Sequence, residues 1–351
     1  MSVRRIEVNR QKLLLVTVAI LGIFSAVSLL ATNFQIWQDA LGNYHEALWP
    51  GTGPNITWNL NFTSMPTNVT DNSSGVTPST VMTRSFNTWA TATYNGSAVT
   101  NIGFTFGAAS ASLPQAPAID CQNVIGFADT ATDAFPTGVI AFASIVHATS
   151  PDGVVPFTGP CGPCPLQVCI VDVDIMFNPG ATFATSAAMA GQYDLQSVAT
   201  HEIGHMMGLD HSAIAHAVMN PYGDTSDIGV HQSLWTDDMI GASHLYPGTL
   251  SPNGTGIKGQ VTVNGVGVYA AHVEALDAAT GDAVTDTLTD PSGNYHLRVF
   301  NGTYYVYVQP LAPDTSRGPC TILNFTGQAG YGNNNSANIP SNPANYTGKY
   351  Y

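Results

Sequence analysis

The chain has 351 residues, of which only 9% are charged, and a formal net charge of -14. Four of its nine basic residues (Arg4, Arg5, Arg10 and Lys12) lie before residue 13, and Arg84 stands alone between residues 48 and 250. With no basic face to neutralise phosphates, nucleic acid is excluded as a partner, and the same acidity excludes docking on anionic lipid headgroups.

In chain order, Arg4 to Lys12 is a basic stretch and Leu13 to Leu30 an unbroken apolar or small run, long enough to cross a bilayer as a helix. Residues 1–31 therefore read as a signal peptide or a signal-anchor transmembrane helix, with Ala26 and Ser28 offering a cleavage site. In both cases the positive-inside rule puts the chain from Asn33 onward outside the cell, secreted or anchored to the membrane through the N-terminal segment. Residues 32–47 read as a connector.

Alternation over Ile56 to Phe62 predicts a strand. Thr77-Pro78 predicts a helix start, with Thr as N-cap and Pro at the first helical position, followed by Met82, Phe86, Trp89 and Ala90 on one face. Strands are predicted over Asn101 to Phe106, Gly138 to Ala148 and Val168 to Phe177. Helices are predicted over Gly191 to Met207, with Asp194 as a cap and Gly208 as a stop, and over Thr236 to Tyr246, with Asp237 and Asp238 in the first turn. The order is α+β.

After a Ser/Pro/Asn/Gly linker at 248–256, residues 257–311 show short alternating strands with turns at Pro291-Ser292-Gly293 and Asn301-Gly302, the pattern of a small all-β sandwich. Residues 312–351 form an Asn/Gly/Pro-rich tail.

Cys121, Cys161, Cys164, Cys169 and Cys320 suit an oxidising compartment. Cys161-Gly-Pro-Cys164 copies a redox motif, but Pro160, Pro163 and Pro165 prevent a clean helix start there, so a loop-stapling disulfide is expected instead. Asn-x-Ser/Thr sequons begin at Asn55, Asn61, Asn68, Asn72, Asn95, Asn253, Asn301, Asn324, Asn334 and Asn345, so the chain is expected to be a glycoprotein if they are used.

The chemistry lies in His201-Glu202-Ile203-Gly204-His205-Met206-Met207-Gly208-Leu209-Asp210-His211. Positions i and i+4 of a helix share a face, so His201 and His205 can aim both imidazoles at one point. Gly208 lets the chain turn sharply, and His211 returns to the same point. Three neutral histidines and one open position make a catalytic zinc site, not a closed structural one. Glu202, offset around the helix, suits a general base that takes a proton from a metal-activated water attacking a peptide carbonyl. His45, His147, His216, His231, His244, His272 and His296 lack such spacing and read as ordinary polar residues.

These residues resemble the extended His-Glu-x-x-His-x-x-Gly-x-x-His motif of the metzincin metalloendopeptidases, and Ser212 after the third histidine resembles the matrixin branch. Ala217-Val218-Met219-Asn220-Pro221 is similar to the matrixin Met-turn, which implies that Met219 is a hydrophobic floor beneath the metal. Tyr193 to Ala199 and Asp237 to Tyr246 resemble the lead-in to the active helix and the last helix. The resemblance implies a catalytic domain over 48–247, built from a twisted mixed sheet and three helices. It also implies one catalytic Zn2+ per chain, strand 138–146 as the edge that binds an extended protein or peptide substrate, and loop 221–235 as a pocket wall.

The inhibitory Pro-Arg-Cys-Gly motif of matrixin propeptides is missing, so no cysteine-switch latency is expected; Cys161 or Cys164 reaching the metal is the alternative. The family's structural-zinc histidines have no counterpart. Asp172 and Asp174 stand where that strand should be and read as solvent-facing or loop-capping residues, with Ca2+ the cofactor they leave open. Tyr222 follows Met219 by three residues, not two, and is no ligand. Residues 257–311 resemble carboxypeptidase-regulatory-like modules, on Thr289 to Tyr295. The expected function is a zinc endopeptidase of extracellular or cell-surface proteins; the alternative is a catalytically silent binding or adhesion protein on the same scaffold.

Overall fold

A computed structural model describes residues 34–310, apart from 40, 42, 63–65, 71–75, 115, 129–134, 136–137, 186–190, 224, 226–229, 251–255 and 291, together with 349–350. The N-terminal segment 1–31 and most of the tail at 312–351 lie outside the described residues, as do Cys320 and the sequons at Asn72, Asn253, Asn324, Asn334 and Asn345. Among the described residues, no helix is long and apolar enough to cross a membrane.

A mixed five-stranded sheet carries the first part of the chain. Its strands are β1 (Asn55–Leu60), β2 (Gly103–Ala109), β3 (Asn123–Phe127), β4 (Ala141–Thr149) and β5 (Val168–Phe177), in the order β2-β1-β3-β5-β4. All pairings are parallel except β4 with β5, so β4 is an antiparallel edge. Alternation in β1 sends Ile56, Trp58 and Leu60 into the core, as the period of a half-buried strand requires. β3 has no such alternation because it lies mid-sheet with both faces covered; the sequence reading missed it for that reason.

Helix α1 (Pro78–Ala90) starts as its sequence predicts. Thr77 Oγ1 accepts the Thr80 N–H, Pro78 opens the first turn, and Met82, Phe86 and Trp89 are buried. Helix α2 (Leu195–Met206) starts four residues later than expected, because Tyr193–Asp194 pairs as a short strand with Phe183–Ala184. Asp194 is its N-cap, accepting from Gln196 and Ser197. The helices lock together through Trp89 Nε1, which donates to Thr200 O at 2.8 Å, and Ser85 Oγ, which donates to Gln196 O at 3.2 Å. Helix α3 (Thr236–Leu245) closes this α+β region.

The connector expected over 32–47 is instead a hairpin, Ile36–Gln38 with Tyr44–Glu46, and Phe34 and Ala47 belong to the main core. The cysteines of the Cys-Gly-Pro-Cys motif do not bond each other. Cys161 pairs with Cys121, and Cys164 with Cys169, so neither has a thiol to offer a metal.

Asp172 and Asp174 do not face solvent: they are 0% and 2% exposed. Asp172 Oδ2 accepts the Asp120 and Cys121 N–H groups, and Asp174 accepts those of Ala118 and Val124, so both hold the loop before β3 onto the sheet. Asn61, expected among the sequons, is buried, and its amide donates to Pro114 O and Phe127 O. That nitrogen is not available to a glycan in the folded chain.

The C-terminal region is rich in strands. β6 (Ile257–Gln260) pairs with β9 (Asn294–Leu297). β7 (Ala271–Asp277), β8 (Ala283–Leu288) and β10 (Tyr304–Pro310) form a second sheet in the order β8-β7-β10, extended by Lys349–Tyr350 from the tail. A separate apolar cluster, including Val273, Leu297 and Val308, lies between these strands. This region contacts the first through Trp235 Nε1, which donates to Ala283 O at 2.7 Å, and through Arg298, which lies 3.7 Å from Glu46.

Candidate metal centre

Helix α2 presents His201 and His205 one turn apart, and the chain must then reverse to return His211. The reversal is a glycine turn. Gly208 N–H bonds to His205 O and Leu209 N–H to Gly204 O, the paired bonds of a Schellman motif. Gly208 has φ +100°, and a Cβ there would sit 2.5 Å from Ala47 O, so both dihedral and space demand glycine. The last carbonyls of α2 are capped from afar. Trp49 Nε1 donates to Met206 O, Tyr246 Oη to Met207 O, and the Gln35 amide to both His205 O and Leu209 O.

The three imidazoles converge. Each offers a ligand atom within 4.8 Å of the others, and the ring centroids are 4.7, 4.9 and 5.4 Å apart. His201 Nδ1 lies 2.7 Å from Val218 O, and His205 Nδ1 lies 2.9 Å from Leu209 O. A ring nitrogen that close to a carbonyl carries the proton, so Nε2 of each is left as an unprotonated lone pair. Burial first, then the neighbouring His205 imidazole, push the His201 pKa down to about 3. Burial, then His205 and His201, push that of His211 the same way. Converging neutral lone pairs repel unless a cation sits between them, so the donor set fits a metal ion.

Glu202, next to His201, is 5% exposed. It accepts the Ala143 N–H of edge strand β4, while its Oε2 is buried without a hydrogen-bond partner. The carboxylate thus joins α2 to the sheet edge through one oxygen.

Met219 is buried beneath α2. A Cβ on Gly204 would overlap Met219 Sδ and press on Trp89, so glycine between the two helical histidines lets the methionine come close. The Met-turn is held by Asp238, whose carboxylate accepts the Val218 N–H at 2.8 Å and the Met219 N–H at 3.0 Å. Asp238 also accepts the Trp235 N–H at the start of α3. The sequence reading saw Asp237 and Asp238 only as dipole partners of the helix. The bonds from the turn to Asp238 leave no local signal, and neither does the Gln35 cap.

The remaining histidines do not join this cluster among the described residues. His147, half-buried, lies against Trp37 with ring centroids 4.0 Å apart, while His272 is buried against Asp286 at 2.7 Å and is a core residue rather than an ordinary polar one. Tyr222 N–H bonds to Asn220 Oδ1. Loop 221–235 is described only in part.

An edge strand, a histidine-bearing helix and a carboxylate between them surround one cluster of converging imidazoles. Residues 139–247, which hold β4, α2, the Met-turn and α3, match the model of the matrixin family. Curated relatives match parts of the chain. Metalloendoproteinase 5-MMP of Arabidopsis thaliana is 35% identical over 117 residues, 33% of this chain and 28% of the relative. Matrix metalloproteinase-9 of Canis lupus familiaris is 46% identical over 55 residues, 15% of this chain and 7% of the relative. Karilysin of Tannerella forsythia is 42% identical over 53 residues, 15% of this chain and 10% of the relative. The chain thus spans less than a third of the length of the relatives it matches.

Proposed function

We propose that the protein is a zinc-dependent endopeptidase of extracellular or cell-surface proteins, with His201, His205 and His211 as metal ligands, Glu202 as general base and Met219 as the floor of the site. The observation that carries this reading is the pair of bonds from His201 and His205 Nδ1 to backbone carbonyls, which leaves both Nε2 lone pairs facing His211. Two described disulfides support an oxidising, extracellular location. The separate apolar clusters support two units, a catalytic domain over 48–247, whose core also takes in Phe34 and Ala47, and a β-sandwich module over 257–311. Calcium is not part of the proposal, because Asp172 Oδ2 and both oxygens of Asp174 are taken by backbone donors, which leaves Asp172 Oδ1 alone, too few oxygens for the ion.

When bound, zinc would polarise the scissile carbonyl and acidify a water molecule. The free edge of β4 would pair with an extended peptide. Glu202, fixed to that edge by the Ala143 N–H, would take the water's proton on its unpartnered oxygen and deliver it to the departing amine.

The test is metal analysis and peptide cleavage by the purified full chain. One zinc per chain and cleavage blocked by a chelator are expected. Glu202→Ala should keep the zinc and lose about a hundredfold or more in rate. Stoichiometric zinc with no cleavage across a broad peptide library would instead support the silent binding protein.

A further inference from the structure

The C-terminal strands reach the loop that carries the third histidine. The N–H groups of His211, Ser212, Ala213 and Ile214 need acceptors, because the loop has no regular structure to supply them. His211 N–H goes to Asp210 Oδ1, Ser212 N–H to Met219 O and Ile214 N–H to Ser212 Oγ. These acceptors lie in the loop or the Met-turn. The Ala213 N–H goes to Asp286 Oδ2 at 3.1 Å, on β8.

That carboxylate is itself fixed. Asp286 is 2% exposed, and the same Oδ2 lies 2.7 Å from His272 Nε2 on β7. His272 is braced in turn by Gln309 on β10, 3.3 Å from its Nδ1. The Asp286 N–H donates to Asp237 Oδ1, and Asp237 is also hydrogen bonded to the Ser212 side chain in the histidine loop. Three strands thus brace one buried carboxylate, Asp286, against the Ala213 N–H, two residues past His211.

We propose that Asp286 is a positioning residue for the metal centre: by holding Ala213, the C-terminal strands set where His211 stands, and so govern how long the metal stays bound. This inference rests on the zinc-site reading above. It gives the C-terminal region, which its sequence marked only by a resemblance to a β-sandwich module, a part in the site.

The experiment measures zinc release from the full-length protein to a chromophoric chelator, and the visible spectrum of the cobalt-substituted protein. Asp286→Ala should release zinc about tenfold faster or more, the range seen when a partner behind a metal ligand is removed, and should alter the cobalt bands. If Asp286→Ala does not fold, Asp286→Leu removes the buried charge with the acceptor, and the same two changes are expected. Val273→Ala, a truncation in the C-terminal core away from the loop, should leave both readouts at wild-type values. Wild-type release and spectrum in the Asp286 variants overturn the proposal, as does equal acceleration by Val273→Ala. A wild-type protein that binds no zinc overturns the underlying reading instead.

Discussion

The carbonyl of Val218 accepts the His201 ring proton at 2.7 Å, while the Val218 N–H is itself held by Asp238. A single residue, Val218, thus passes the position of α3 to His201.

Removing Asp238 should loosen that linkage. Asp238→Ala leaves the Val218, Met219 and Trp235 N–H groups without their acceptor in the core. Buried bonds to a charged acceptor contribute roughly 1.5–3 kcal/mol each, so a loss on the order of 3 kcal/mol in stability is expected, with weaker zinc binding. Asp238→Asn, which keeps one oxygen, should fall between. Chelator competition and melting curves check both; wild-type zinc affinity in Asp238→Ala would show that the Met-turn does not depend on this carboxylate.

Gly208→Ala tests the turn between His205 and His211. The new methyl group meets Ala47 O at 2.5 Å in a backbone with φ +100°. Gly51 has φ +107° and nothing within 4 Å of its Cβ position, so Gly51→Ala carries the dihedral strain without the clash. Left-handed strain costs about 1–3 kcal/mol. Urea denaturation should therefore place Gly208→Ala well below Gly51→Ala; equal losses would mean that the Ala47 contact relaxes freely.

Asp172 and Asp174 should make stability depend on pH. Burial raises both carboxyls above their ordinary 3.8, to about 6 and about 7, against the opposing pull of the backbone donors and with help from neighbouring Asp120. The folded chain therefore holds protons that the unfolded chain has released. Their contribution is full below about pH 4 and is lost as pH rises through about 7, on the order of 2 kcal/mol for Asp172 alone. Histidines buried in neutral form, such as His147 with its pKa lowered by burial to about 3, act in the opposite direction. The readout is thus the difference between wild type and Asp172→Asn in melts from pH 5 to 8. The variant should gain on wild type as pH rises, and parallel curves would refute the assignment.

The metal cluster was legible because its information is local: three histidines and a glycine within eleven residues carry the helical face and the reversal. The caps at Thr77 and Asp194 were legible for the same reason. β3 was not, since a strand covered on both faces has no alternation to read. Nor were the partners of Asp172, or the pairing of Cys161 with Cys121, which depend on loops that meet only after the sheet forms. Asp238, Gln35 and Asp286 escaped because each acts on a backbone group of a distant segment, and a backbone N–H or C=O looks the same at every position in a sequence.

The cap that Gln35 places on His205 O and Leu209 O sets a boundary for processing. Any protease that trims this chain from its N-terminal side and leaves the histidine turn intact must stop before Phe34. A chain shortened to begin at Trp49 would take the Gln35 amide from both carbonyls, strip Phe34 and Ala47 from the core, and melt at a lower temperature than one beginning at Phe34. Maturation and inactivation would then differ by some fifteen residues in where the cut falls, roughly one short hairpin.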